Sequence, residues 1–84
     1  MSTSTLEFEH ATRGSAQVTP KKYPSIISIT YTATGEAEVF YGVDGQAPSI
    51  PLPNGPTRVA INSNSLQLAY RIINGETKLQ WEVD

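Results

Sequence analysis

Residues 66–83 read LQLAYRIINGETKLQWEV, two alternating runs on either side of Asn74-Gly75. Asn-Gly is the preferred pair for a two-residue type I′ turn, because both central positions need positive φ and that turn matches the twist of the strands it joins. Closed on Ile73 and Glu76, it sets Tyr70 opposite Leu79, Leu68 opposite Trp81 and Leu66 opposite Val83. Those six side chains share one face. Gln67, Ala69, Arg71, Lys78, Gln80 and Glu82 share the other, so turn chemistry and binary pattern together predict a hairpin with one dry side.

Working outward, residues 25–33 and 36–43 predict a second hairpin. A three-residue loop, Ala33-Thr34-Gly35, pairs Tyr31 with Ala37, Ile29 with Val39 and Ile27 with Tyr41, with Gly at the bulge position. The opposite face holds Ser28, Thr30, Thr32, Glu36 and Glu38 together with two misfits, Ile26 and Phe40, which this register places close together. Residues 57–62 alternate again through Val59 and Ile61, and a Ser63-Asn64 turn would extend the first hairpin to a meander over 57–83. Between them, APSIPLPNGP at 47–56 carries Pro48, Pro51, Pro53 and Pro56. Those prolines delete ladder donors, so the segment is an edge or an extended surface loop of polyproline character, with Ile50 and Leu52 as exposed apolar positions.

At the start of the chain, LEFEH at 6–10 alternates as a short strand, with Leu6, Phe8 and His10 on one side. Residues 1–5 are a Ser/Thr tract expected to be a mobile tail, and 12–24 read as a connection with a short strand near 16–18. No apolar period of 3.6 residues runs for ten residues. The expectation is one all-β domain over 1–84, a small antiparallel β-sandwich or partly open barrel of six to seven strands with little or no helix.

Composition narrows the function classes. The formal net charge is −2, with acids and bases scattered singly apart from Lys21-Lys22, which argues against nucleic acid as partner because that contact needs a clustered basic face. No cysteine is present, so disulfides, Cys-ligated zinc and thiol catalysis drop out. The opening MSTSTLEFEH lacks a leader pattern and no apolar run reaches membrane length, so a soluble, cytoplasmic protein without membrane contact is expected, with virion association as the secondary alternative.

His10 is the one histidine and has no nucleophile motif around it, so it reads as an imidazole at a strand end. Glu7 with Glu9 and Glu36 with Glu38 are same-side carboxylate pairs that strand alternation also produces for solubility. No phosphate loop, metal motif or cofactor fingerprint occurs. The expectation is therefore a non-catalytic module without metal or cofactor, acting by contact with a protein partner or with copies of itself, as accessory, inhibitor or decoration proteins do. Its candidate contact residues are Ile26, Phe40, Ile50 and Leu52. The alternative is a small carbohydrate-binding, lectin-like domain using Tyr23, Asn62 and Asn64.

Overall fold

The computed structural model describes residues 2–83. Eight strands follow one another: β1 (Ser2–Phe8), β2 (Thr12–Val18), β3 (Ser25–Ala33), β4 (Ala37–Val43), β5 (Ile50–Pro51), β6 (Gly55–Ile61), β7 (Leu66–Ile72) and β8 (Thr77–Val83). They form two antiparallel four-stranded sheets, ordered β1-β8-β3-β6 and β2-β7-β4-β5, and no helix occurs among the described residues. The count is eight rather than six or seven because the expected connection at 12–24 contains the seven-residue β2 and the proline segment contributes the short β5. Residues 2–5, expected to be a mobile tail, are the first part of β1, while Met1 lies outside the described residues.

The three predicted strand pairings are not formed. β3 and β4 lie in different sheets, as do β6 and β7, and β7 and β8. Instead β1 pairs with β8, β2 with β7, β3 with β6 and β4 with β5. Leu6 lies opposite Leu79, Ala16 opposite Leu68 and Ile27 opposite Val59, so the two halves of the chain pass each other as one long hairpin bent between β4 and β5. Rolled into two layers, this hairpin is the double-sheet jelly roll, eight strands in two Greek keys. Each predicted dry face survives the change, because inward and outward sets depend only on alternation within a strand. Tyr31 and Trp81 belong to one sheet, Val39 and Leu68 to the other, and they meet across the sandwich.

Asn74-Gly75 works at a corner. Residues 34–36 carry the chain from β3 to β4, residues 73–76 carry it from β7 to β8, and the two crossings run side by side. The Thr34 amide donates to the Glu76 carbonyl (2.9 Å) and the Ile73 amide to the Glu36 carbonyl (2.9 Å). Asn74 Oδ1 accepts from the Glu36 amide (2.9 Å), and Thr34 Oγ1 accepts from the Glu76 amide (2.9 Å). Gly75 has φ of 78°, but Asp44 is the one described non-glycine residue with positive φ. A type I′ turn would need Asn74 there too. A Cβ on Gly35 would stand 2.5 Å from the Asn74 carbonyl oxygen, so the close crossing requires glycine.

One core lies between the sheets. Ile27, Ile29, Tyr31, Val59, Ile61, Leu79 and Trp81 enter it from the first sheet, and Val18, Val39, Leu52, Leu66 and Leu68 from the second. The proline segment takes edges, as its missing donors require: β5 borders one sheet and β6 the other. Leu52, expected to be exposed, is instead 6% exposed, its amide donating to the Val39 carbonyl (2.8 Å) and its side chain filling the core beside β4.

Candidate functional site

Alternation leaves each sheet an outer face, and the expected contact residues divide between the two. On the first sheet the outward rows are Glu7, Lys78 and Thr32; Thr5, Gln80, Thr30 and Pro56; Glu82, Ser28 and Arg58; then Ile26 and Ala60. This is a polar face with its charges balanced, and Lys78 Nζ lies 4.0 Å from Glu7 Oε1. Ile26 is the exception at 56% exposure. It lines a recess of about 520 Å³ with Pro24, Ser25, Ala60, Ile61 and Asn62, and exposed Tyr23 precedes Pro24 in the same loop. The structure thus places Ile26 and Asn62 in one recess, with Tyr23 three residues earlier in the chain. It does not join Ile26 to Phe40, which sits on the opposite side of the sandwich because β3 and β4 belong to different sheets.

Ile50 is 42% exposed on the two-residue edge strand β5, opposite Tyr41. Asn64 is exposed in the β6–β7 loop, and the Asn62 amide donates to Asp44 Oδ1 (3.0 Å), tying that loop to the bend after β4. His10 is exposed at the bend after β1.

The outer face of the second sheet has a different composition. Arg13, Arg71 and Glu38 lie in one row, Ser15, Ala69, Phe40 and Pro51 in the next, Gln17, Gln67 and Gly42 in the third. Phe40 is partly buried between Ala69 and Pro51. Arg13, Gly14, Glu38, Phe40, Ala69, Tyr70 and Arg71 enclose a recess of about 400 Å³. A second, about 490 Å³, adjoins it at Ala69 and is lined by Ser15, Ala16, Gln17, Pro48 and Gln67. Gly42 seats the chain that walls this groove, since a Cβ there would stand 2.5 Å from the carbonyl oxygens of Gln46 and Ala47.

Electrostatics set the recess apart. Glu7 with Lys78 is the ion pair found among the described residues, so neither Arg13 nor Arg71 has a carboxylate at ion-pair distance, although Glu38 is the cross-strand partner of Arg71. Burial, and secondarily the charge of Glu38, push the Tyr31 hydroxyl above its ordinary pKa. The sequence reading singled out Phe40 but missed the arginines around it. Arg71 stood on an outward face there, while Arg13 fell in a supposed connection, and their meeting depends on β2 pairing with β7 across most of the chain.

Among the described residues no group of three or more His, Cys, Asp or Glu side chains could hold a metal ion, and no helix is long and apolar enough to cross a membrane. No known protein family, characterised protein or solved structure matches the chain.

Proposed function

We propose that this chain is a non-catalytic binding module that makes a protein contact through the apolar end of its first sheet. The observation that carries the reading is Ile26, 56% exposed, paired with exposed Ala60 and flanked by Tyr23 at 56%. A large aliphatic side chain standing in water, with an exposed aromatic residue three positions before it in the chain, offers the kind of anchor around which interfaces concentrate their energy. The patch borders β6, an outermost strand whose outward backbone groups have no strand partner, so a docking chain could add strand pairing to side-chain contact.

A second copy of the chain is the first partner to test. Light scattering across a dilution series gives the solution mass of the wild type and of Ile26→Asp. A wild-type oligomer that the substitution dissolves, at an unchanged unfolding midpoint, supports contact through this patch. An oligomer that survives Ile26→Asp, or a strict monomer at every concentration, overturns self-contact there.

A further inference from the structure

Arg13 and Arg71 stand directly opposite each other on neighbouring strands, on the same outward face. Like charges in that position repel, and among the described residues neither has a carboxylate at ion-pair distance. An oxyanion lying between two guanidinium groups turns that repulsion into charge-assisted, fork-shaped hydrogen bonding. The surroundings say what the oxyanion is attached to. The floor beside the arginines is Ala69, small enough for a ligand to approach the backbone, and the wall is the partly exposed ring of Phe40. Glu38, the cross-strand neighbour of Arg71 on its other side, offers acceptors to hydroxyl groups. The adjoining recess carries the hydroxyl of Ser15 and the amides of Gln17 and Gln67, donors and acceptors without charge.

We propose that this groove binds an acidic sugar, its carboxylate held between Arg13 and Arg71 and its C–H face resting on Phe40, with a neutral neighbouring unit lying over Ala69 toward Gln17 and Gln67. Each requirement of such a ligand meets a group of the matching kind: charge-assisted donors for the carboxylate, an aromatic face for the ring, acceptors and amides for the hydroxyls. At about 400 Å³ the first recess falls within the range of ligand sites. The site differs from the residues that the sequence suggested for sugar, Tyr23, Asn62 and Asn64, and lies on the opposite face from the patch around Ile26, so either proposal can fail alone.

The test is a titration followed by backbone-amide NMR shifts, with glucuronate, glucose, acetate and tetraglutamate as probes. Glucuronate should shift amides of β2, β4 and β7, bind at least roughly tenfold more tightly than glucose, and weaken as salt rises. Arg13→Gln lies on an edge strand, where loss of the fold is least expected, and should reduce glucuronate affinity by roughly tenfold or more. Phe40→Ser should weaken glucuronate while leaving acetate unchanged. Four results would each overturn the proposal: glucose binding as well as glucuronate, acetate matching glucuronate, tetraglutamate binding more tightly than glucuronate, or an Arg13→Gln variant with unaltered affinity. Absence of any glucuronate shift at saturating concentration would do so too.

Discussion

The two outer faces of this sandwich are built by the same alternation, yet only one of them is explained by alternation alone. On the first sheet, Thr, Ser, Gln and two charges of each sign cover the surface as solubility demands, and the apolar departures are Pro56 on the edge strand and, at an end, Ile26 with Ala60. On the second, an aromatic ring and Ala69 occupy the middle outward row, and the row beside it sets two arginines opposite each other, neither at ion-pair distance from a carboxylate among the described residues. Solubility requires none of these. Residues that neither folding nor solvation accounts for are the ones to which function can be assigned.

This comparison presumes that outward residues contribute little to folding, and one dipeptide tests the presumption most severely. Ile27 is fully buried, whereas its neighbour Ile26 is 56% exposed. Ile27→Ala should cost about 2–5 kcal/mol by lost transfer and a residual cavity, while Ile26→Ala should stay within about 0.5 kcal/mol. Denaturant melts of both variants decide it. A large loss at Ile26 would mean that the patch is structural, and the first face would no longer be plain.

The next largest effect concerns the wall of the groove. Gly42→Val pushes a side chain into the carbonyls of Gln46 and Ala47 and should cost about 1–3 kcal/mol. Thr30→Val, an outward change in the middle of the first face, should cost less than about 0.5 kcal/mol. Equal, small costs in thermal melts would show that the chain at 46–48 is not seated on the sheet, and the contrast between the faces would blur.

What the sequence reveals here is local and what it hides is long-range. Inward sets such as Leu66, Leu68 and Tyr70, or Ile27, Ile29 and Tyr31, follow from alternation and are correct whichever strand lies alongside. Pairing does not follow from alternation. Asn74-Gly75 carries the composition of a tight hairpin turn, but its Asn side chain binds the Glu36 amide and its Gly lies against Gly35 in the neighbouring crossing. The same dipeptide therefore serves a corner between sheets, and only the partner crossing, far away in sequence, distinguishes the two uses. A legible sign was the proline run: four prolines within 48–56 call for edges, and a chain folded in half around 44–49 supplies edges at β5 and β6. Phe40 was visible as a misfit on a polar face. Its arginines were not, because Arg13 acquires its neighbours through β2 and β7, strands separated by more than half of the chain.

Charge reversal separates the faces by the sign of its effect. Arg13→Glu replaces a repulsive cross-strand pair with an attractive one facing Arg71, and should stabilise the fold by about 0.2–1 kcal/mol at low ionic strength, fading as salt rises. Lys78→Glu, which turns the Glu7 pair repulsive, should destabilise by a similar amount. Opposite signs in parallel melts would show that the second face gives up stability for its two guanidinium groups, while the first does not. Matching signs would remove that distinction, and with it one reason to treat Arg13 and Arg71 as a binding pair.

The smallest effect links the second face to the core. Tyr31 points inward from β3 and is 4% exposed; burial first, and Glu38 second, raise its hydroxyl pKa above the ordinary 10.0. The folded state therefore holds that proton more tightly than the unfolded chain does. The resulting stability is fully present below about pH 10 and is lost as pH rises from there through the folded value. Wild type should accordingly lose stability more steeply than Tyr31→Phe above that pH, and Glu38→Gln should lessen the slope without abolishing it, because burial is the larger cause. Urea melts at a series of alkaline pH values measure this directly. If Glu38→Gln leaves the slope unchanged, Glu38 is directed wholly outward, toward the arginine row; if it lessens the slope, a ligand that draws Glu38 toward its hydroxyls would register at Tyr31 as well.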